Sequence, residues 1–308
     1  MRNLSVGAAQ LGPIQRAEDR SSVVARMCAL LDRAEEAGCE LVVYPELALT
    51  TFFPRWDVSH PGESDQWFEA AMPNSDVQPL YDKARAAGIA LSFGYGEKTP
   101  DGHYFNTSIL TDKEGAEVGK YRKVHLPGHS EYDPARTHQH LEKKYFEPGD
   151  LGFRTWDCFG GRLGMCICND RRWPETWRVL GLQGVEMVLL GYNTPVTNSL
   201  SAHEEPGHRI FHHKLSVQAG CYQNSTWGVA VAKAGDEDGF PLMGGTIIVD
   251  PQGLIVAETQ TEGDELITHT CDLDQATFGK KTIFNFAAHR RTEHYGLIVE
   301  RTAEGDPL

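Results

Sequence analysis

Residues 163–175, LGMCICNDRRWPE, predict a strand that carries a thiol into a loop, because an apolar run ends at Cys168 and polar residues come directly after it. The run is typical of a buried strand. Pro174 predicts a helix just after the polar loop, since proline is favoured in a first helical turn. The thiol of Cys168 is thus predicted near a helix N-terminus, where partial positive charge lowers a thiol pKa. Cys166 would face the same side of a continuing strand, and the polar residues after Cys168 favour it as the exposed thiol.

Strand-like and helical segments alternate on both sides of this stretch, which indicates an α/β protein. Residues 4–9 and 41–44 have strand character and enclose a helix over 20–38 that ends at Gly38, an order that predicts neighbouring parallel strands. Further strands are predicted over residues 89–96, 104–110, 116–122, 185–190, 227–232, 245–249, 255–258 and 266–271, with helices over 76–87 and 208–219. No linker or repeat divides the sequence, so one domain over residues 1–308 is expected, with sheets packed face to face and helices outside. Periodicity alone does not establish four layers.

Composition excludes several classes of partner. The 308 residues include 29 basic and 43 acidic side chains, a formal net charge of -14, which argues against nucleic acid and anionic lipid. No apolar run is long enough to span a bilayer, and the first residues enter a strand without the layout of a secretory signal. Seven cysteines without a short paired framework fit free thiols in a reducing compartment. A cytoplasmic protein is therefore expected.

Three segments share one pattern, in which a chemically capable residue comes after an apolar strand. Glu46 comes after the strand at 41–44, Lys123 after 116–122, and Cys168 after its own run. Because sites of α/β folds gather at strand ends, a carboxylate, an ammonium and a thiol are predicted to meet. Glu46 would take the thiol proton, and Lys123 would stabilise the oxyanion formed when sulfur attacks a carbonyl carbon.

These segments resemble the nitrilase superfamily of carbon-nitrogen hydrolases. The matching motifs are Tyr44-Pro45-Glu46, the stretch KYRKVHL at 120–126 and CNDRRWPE at 168–175. The resemblance implies a Glu-Lys-Cys triad of Glu46, Lys123 and Cys168, a four-layer α-β-β-α sandwich, and assembly into homodimers or homotetramers. It also implies that Glu142 is an additional glutamate that orients Lys123 or the attacking water.

A narrower resemblance is to the N-carbamoyl-D-amino acid amidohydrolases, or D-carbamoylases. It is carried by TTFFPRW at 50–56, HLEKKYFEPG at 140–149, GYNTP at 191–195 and the pair His212-His213. It implies hydrolysis of an N-carbamoyl-D-amino acid to D-amino acid, carbon dioxide and ammonia through a cysteine thioester, without a cofactor or metal. The site residues implied beyond the triad and Glu142 are Asn169, Arg171, Arg172, Asn193, Thr194, His125 and His140, with the two histidines hydrogen-bonded to glutamates.

Arg171 and Arg172 make chemical sense of such a substrate. A guanidinium binds a carboxylate through two parallel charge-assisted hydrogen bonds, and an N-carbamoyl amino acid carries a carboxylate near the reacting carbonyl. One or both arginines could bind it, or they could form structural salt bridges to Asp170 or Glu175. The preference for the D enantiomer comes from the resemblance alone.

Other functions stay open at this stage. A β-ureidopropionase or carbamoylputrescine amidase would use the same triad, and a noncatalytic binding member of the fold is a further alternative. A zinc hydrolase is a weaker candidate, because His208 and His212 lie four residues apart without the glutamate of a His-Glu-x-x-His site.

Overall fold

Two mixed β-sheets lie face to face in the computed structural model, which describes residues 1–58, 61–197, 205–304 and 306–307. The strands are β1 (Asn3–Gln10), β2 (Leu41–Val43), β3 (Phe68–Glu69), β4 (Ala90–Lys98), β5 (Tyr104–Thr111), β6 (Glu117–Arg122), β7 (Thr155–Cys158), β8 (Gly161–Ile167), β9 (Met187–Tyr192), β10 (Trp227–Ala232), β11 (Ala234–Glu237), β12 (Phe240–Met243), β13 (Ile247–Val249), β14 (Ile255–Glu258), β15 (Glu265–Asp272), β16 (Arg301–Ala303) and β17 (Asp306–Pro307).

The α-helices are α1 (Arg20–Glu36), α2 (Pro61–Ser64), α3 (Gln78–Ala87), α4 (Glu142–Tyr145), α5 (Pro174–Leu182), α6 (Pro206–Asn224), α7 (Asp274–Lys281), α8 (Phe286–His289) and α9 (Leu297–Glu300). Short 3₁₀ helices cover Phe53–Arg55, Asp65–Trp67, Cys168–Arg172 and Thr292–His294. In this described part of the chain, no helix has the length and apolar character needed to cross a membrane.

The first sheet has the strand order β15-β1-β2-β4-β5-β6, with β3 also paired to β4, and the second has the order β14-β13-β10-β9-β8-β7. Pairings β1–β2 and β2–β4 are parallel, as are β8–β9 and β9–β10, which confirms the parallel neighbours predicted from the β-α-β order. Since β4–β5 and β5–β6 are both antiparallel, β6 runs in the same direction as β4. The strands that precede Glu46 and Lys123 therefore end at the same edge.

Successive side chains of a strand point to opposite faces of the sheet, and this alternation produces two apolar layers. Leu41 and Val43 face the second sheet and join the core with Met165 and Leu189, whereas Val42 faces outward into a layer formed with α1 and α3. The helices α5 and α6 pack on the second sheet, with Trp177 and Val217 among its core residues. The predicted α/β fold with face-to-face sheets and outer helices is confirmed.

Helix α1 shows how local signals set an element. Asp19 caps the helix by accepting a hydrogen bond from the Ser22 backbone N–H at 2.7 Å, and the buried residues Val24, Met27 and Leu31 recur at helical spacing. Gly38 lies just beyond the helix with a φ of 70°, a left-handed conformation that favours glycine. The predicted end at Gly38 is confirmed.

Candidate active site

Glu46 lies in a tight turn after β2, and two glycines allow that turn to approach the sheets. A Cβ atom at Gly191 would lie 2.5 Å from the Glu46 backbone nitrogen, and one at Gly94 would lie 2.7 Å from the Glu46 Cα. Both contacts are closer than a side chain tolerates. The first sheet contributes Gly94 and the second contributes Gly191, so the backbone of Glu46 passes between the two.

The three predicted residues come together with Glu142 in the interior. The Lys123 Nζ donates to Glu46 Oε1 at 2.7 Å and to Glu142 Oε2 at 2.6 Å, and all three side chains are fully buried. The Cys168 Sγ donates to the backbone oxygen of Asn193 at 3.6 Å. The same Asn193 donates its backbone N–H to Glu46 Oε2 at 2.9 Å, so one residue links the thiol and the carboxylate.

Electrostatics in this cluster follow from burial and close charges. Burial alone would lower the pKa of Lys123, but the negative charges of Glu142 and Glu46, and that of Cys168 when its thiol is ionised, outweigh burial and raise that pKa, so Lys123 stays an ammonium. Burial favours protonation of Glu142, yet Lys123 and His140 lower its pKa and keep it a carboxylate. The cluster therefore holds one fixed cation between carboxylates.

The thiol of Cys168 differs from its prediction in two respects. Only 3% of the residue is exposed, and burial together with the charge of Glu46 raises its pKa against the opposing effects of Lys123 and Arg171. The prediction of an exposed, acidified thiol is wrong, because the polar loop after Cys168 is not fully solvent-exposed: Asp170 and Arg171 are themselves buried. A buried thiol that keeps its proton at rest needs a base when it reacts.

The backbone of Cys168 is in the left-handed region, with a φ of 48°. A non-glycine residue in this region costs on the order of 1–3 kcal/mol, and such positions cluster at functional sites. Helix α5 begins at Pro174 as predicted, but a separate 3₁₀ helix over Cys168–Arg172 lies between it and the thiol. The sulfur thus sits at a sharp strand-to-helix turn.

Asp170 holds this turn against the first sheet, and its role was missed in the sequence. Its carboxylate accepts hydrogen bonds from the Tyr121 hydroxyl at 2.7 Å, the Ile167 backbone N–H at 3.0 Å and the His125 backbone N–H at 3.0 Å. The His125 ring contacts the same carboxylate through Nδ1 at 2.8 Å. The predicted bond between His125 and a glutamate is therefore wrong, because Asp170 occupies that position.

The two adjacent arginines have different surroundings. Arg171 is buried, donates to the Cys168 backbone oxygen at 2.6 Å and to Thr194 Oγ1 at 3.0 Å, and its guanidinium lies 4.5 Å from the Tyr192 ring centre. Arg172 is exposed and donates to Asn169 Oδ1 at 3.3 Å. Arg171 thus supports the backbone of the thiol, whereas Arg172 lies at the surface.

We define the rim as Asn169, Arg172, Trp173 and His125. Asn169 donates to the His125 backbone oxygen at 3.2 Å, and the His125 ring stacks on Trp173 with centroids 4.8 Å apart. Trp173 is 45% exposed. The rim joins polar donors to an aromatic surface next to the buried cluster.

Of the remaining predicted residues, Thr194 and Asn193 are buried and His140 is half-buried. Thr194 is buried with its hydroxyl on Arg171, and the Asn193 amide donates to the Glu46 backbone oxygen at 2.7 Å. The predicted contact of His140 with a glutamate is confirmed, since its Nε2 lies 2.9 Å from Glu142 Oε1. The His140 ring also packs edge-on against Phe52, with ring centroids 5.5 Å apart.

Phe52 belongs to a small, mostly apolar pocket beside His140. The residues lining the pocket are Phe52, Arg55, His138, Gln139, Pro195, Thr197, Phe240 and Pro241. Behind it, the Glu237 carboxylate accepts from Arg55 at 2.8 Å and from Lys233 at 2.9 Å, with all three side chains buried. No local pattern in the sequence indicates this ion cluster, because its members are separated by up to 182 positions.

Metal ligation has little support in the residues that the structure describes. His208 and His212 lie side by side on α6 with ring centroids 6.1 Å apart, but the described His, Cys, Asp and Glu side chains form no group of three that could hold an ion.

Comparisons with known proteins agree with this geometry. The family model described as carbon-nitrogen hydrolase matches residues 5–281. A citrullinase of Francisella tularensis is 26% identical over 309 residues, covering 98% of this chain and 100% of that protein. An N-carbamoylputrescine amidase of Arabidopsis thaliana is 25% identical over 298 residues, covering 92% and 91%. The crystal structure of a carbon-nitrogen hydrolase from Helicobacter pylori matches the fold with a TM-score of 0.83 at 22% identity, covering 97% of this chain and 99% of that one.

Proposed function

The chain belongs to the carbon-nitrogen hydrolase family, and from this premise we propose that it hydrolyses N-carbamoyl-D-amino acids to D-amino acid, carbon dioxide and ammonia. Membership makes it an amidohydrolase with an active-site cysteine. The observation that carries the proposal is the buried Lys123 ammonium between Glu46 and Glu142, next to a thiol that contacts the same Asn193 as Glu46. This arrangement suits attack on a carbamoyl carbon, and the rim beside it suits a carboxylate.

In the proposed first half-reaction, Glu46 accepts the proton of Cys168 and the sulfur bonds to the carbamoyl carbon. Lys123 has three N–H donors, and the structure records two of them on Glu46 and Glu142. We assign the third to the developing oxyanion, where a fixed cation in a dry site lowers the barrier most. The bond from carbon to the terminal nitrogen then breaks, and Glu46 returns the proton as ammonia leaves.

In the second half-reaction, Glu46 takes a proton from water, and the resulting hydroxide attacks the carbonyl carbon of the thioester. The carbon–sulfur bond breaks, and the proton held by Glu46 returns to Cys168. The product is an N-carboxy amino acid, which loses carbon dioxide to give the free amino acid. Glu142, paired with His140 and Lys123, keeps the ammonium in place through both steps.

We assign the substrate carboxylate to Arg172 and Asn169 rather than to Arg171. The Arg171 guanidinium is buried and donates to Cys168 and Thr194, so its part is to support the thiol. Arg172 is exposed beside Asn169 and the stacked His125–Trp173 pair.

Three related substrate classes are the alternatives. The similar N-carbamoylputrescine amidase acts on a substrate that has no carboxylate, while the similar citrullinase acts on one that carries both a carbamoyl group and a carboxylate. A β-ureidopropionase would accept a carboxylate one carbon farther from the carbamoyl nitrogen. The exposed guanidinium of Arg172 favours a substrate with a carboxylate.

Steady-state rates on a matched panel test the proposal. The panel pairs N-carbamoyl-D- and N-carbamoyl-L-amino acids with the same side chain and adds β-ureidopropionate, citrulline and N-carbamoylputrescine, with Cys168→Ala as the background control. We expect the highest kcat/KM on a D compound and ammonia release equal to amino acid formed. A kcat/KM on an L compound, a β-ureido acid or carbamoylputrescine that equals or exceeds it would overturn the substrate assignment.

We also propose that the chain forms a homodimer or homotetramer through its outer helices. Phe211 and Leu215 on α6 are 58% and 51% exposed, and Leu182 on α5 is 47% exposed. Apolar side chains this exposed on neighbouring helices mark an interaction surface. Light scattering on the purified protein tests this, and a monomer at micromolar concentration would contradict it.

A further inference from the structure

Asn106 contacts the active-site carboxylate from an unexpected direction. It lies on β5 and is fully buried, and its Nδ2 donates to Glu46 Oε1 at 2.7 Å. Its backbone oxygen accepts the Lys123 backbone N–H at 2.8 Å. One residue of the first sheet therefore touches both members of the Glu46–Lys123 pair.

The hydrogen bonds to Glu46 distinguish its two oxygens. Oε1 accepts from Lys123 Nζ and from Asn106 Nδ2, both at 2.7 Å, which matches the two lone pairs of a carboxylate oxygen. Oε2 accepts from the Asn193 backbone N–H at 2.9 Å, and within the described residues no second donor reaches it. Oε2 therefore keeps one acceptor position.

Asn193 links Oε2 to the thiol. Asn193 donates its N–H to Oε2, and its backbone oxygen receives the Cys168 Sγ contact at 3.6 Å. Asn193 therefore contacts both Oε2 and the sulfur, whereas Oε1 contacts Lys123 and Asn106. The filled oxygen contacts Lys123, and the half-filled oxygen contacts the residue that also accepts from the nucleophile.

We propose that Asn106 is a positioning residue that fills Oε1 of Glu46 and thereby directs the proton of Cys168 to Oε2. The inference deepens the proposed function and rests on Glu46 being its base. Without the amide, the carboxylate would be held by one donor on each oxygen, and rotation about its Cγ–Cδ bond would exchange the two. With it, the acceptor is fixed before substrate arrives, which is what efficient proton transfer requires.

The orientation of the Asn106 amide supports this role. A flipped amide would place Oδ1 against the Glu46 carboxylate, where two acceptors repel, so Nδ2 must face Glu46. Oδ1 then points away and has no hydrogen-bond partner among the residues described. An unsatisfied buried oxygen costs on the order of 1–3 kcal/mol, so a purely structural role would gain little from asparagine here.

Asn224 offers a matched control for the structural part of any effect. It is also buried, its Nδ2 donates to the Gly220 backbone oxygen at 2.9 Å, and its Oδ1 likewise lacks a partner in the described part of the chain. It lies at the end of α6 against Gly181, away from Glu46. The substitution Asn224→Ala removes the same atoms without touching the base.

The test compares Asn106→Ala, Asn106→Asp and Asn224→Ala by steady-state kinetics and thermal unfolding. We expect Asn106→Ala to lower kcat about 10- to 100-fold with KM changed less than about 3-fold, a part of the roughly 10²- to 10⁴-fold that proton transfer contributes to catalysis. Asn106→Asp should lower kcat further, because a second carboxylate repels Glu46. Asn224→Ala should leave kcat within about 2-fold at a similar loss of Tm. A kcat for Asn106→Ala no lower than that of Asn224→Ala, or a change confined to KM, would overturn the inference.

A substrate-free measurement separates this inference from the substrate assignment. The rate of Cys168 alkylation by iodoacetamide, followed by intact mass, is measured for wild type, Asn106→Ala, Glu46→Gln and the double variant. We expect Asn106→Ala to slow alkylation about 3- to 10-fold in the Glu46 background and to have no further effect in the Glu46→Gln background, since coupled residues are not additive. Equal slowing in both backgrounds would show that Asn106 acts independently of the base. Failure of every carbamoyl substrate would overturn the proposed function and leave this cycle decisive for Asn106.

Discussion

Arg171 and Arg172 are neighbours in the chain, yet they belong to two regions of the site that have different roles. Arg171 joins the buried cluster, where its guanidinium contacts Cys168, Thr194 and the Tyr192 ring. Arg172 belongs to the rim, where it is exposed beside Asn169. The cluster is buried and held by internal hydrogen bonds, whereas Arg172 and Trp173 of the rim are exposed at the surface. We infer that the cluster sets the reaction type and the rim sets which substrate is bound.

The largest effect is expected at the nucleophile, at the centre of the cluster. Cys168→Ser should lower kcat by at least about 10³-fold while leaving substrate binding measurable, because an alcohol is far less acidic than a thiol. Isothermal titration would give the binding constant and ammonia release the rate. Cys158→Ser is the control, since that thiol is half-buried and its Sγ donates to the Trp156 backbone oxygen at 3.7 Å, outside the cluster. Turnover by Cys168→Ser near the wild-type rate would show that the cluster does not carry out the reaction.

Arg171 should contribute to stability as well as to rate. Arg171→Met leaves the Cys168 backbone oxygen and the Thr194 hydroxyl without their buried donor, so we expect a loss of about 2–4 kcal/mol in the free energy of unfolding. Arg172→Met at the exposed neighbour should change it by less than about 0.5 kcal/mol. Urea unfolding of the two variants checks the contrast. Equal losses would mean that the two arginines do not belong to separate regions.

Arg172 should instead act on substrate affinity. Arg172→Ala removes a charge-assisted hydrogen bond to the substrate carboxylate, worth about 1.5–3 kcal/mol, so KM for N-carbamoyl amino acids should rise roughly 10- to 100-fold with little change in kcat. Kinetics on a carbamoyl amine without a carboxylate provide the comparison, and that KM should not rise. An unchanged KM on carboxylate substrates would assign Arg172 to structure.

The smallest expected effect is on the pH dependence of the free energy of unfolding. His213 is buried against Tyr192, and burial together with the charge of Arg171 holds its pKa well below the usual 6.5. Below about pH 6.5 the unfolded chain therefore binds a proton that the folded protein does not. As the pH is lowered, the free energy of unfolding falls by up to ~1.4 kcal/mol per pH unit. His213→Asn should flatten the slope of unfolding free energy between pH 6.5 and 5. His208→Gln, at an exposed position of α6, should not, and equal slopes in wild type and His213→Asn would contradict the assignment.

The sequence was most informative about the residues at the ends of strands. Glu46, Lys123 and Cys168 were predicted to meet because strand patterns and residue types are local signals, and the resemblance added Glu142 and His140. The sequence was misleading about the exposure of Cys168, since the polar residues Asp170 and Arg171 after it turn inward to make tertiary hydrogen bonds. Such bonds join positions far apart, such as Asn106 and Glu46 at a separation of 60 residues. An asparagine within a buried strand was the available signal for that contact.

The glycine pair around Glu46 bears on whether this site could be moved to another protein. The carboxylate reaches Lys123 because Gly94 and Gly191, one in each sheet, have no side chain where the turn passes. Grafting the Tyr44–Glu46 turn onto a foreign scaffold would transfer the carboxylate without its position, since a single methyl group on either neighbouring strand would displace the turn. A transplanted site would therefore need both strands with glycine at these two positions as well as the loop.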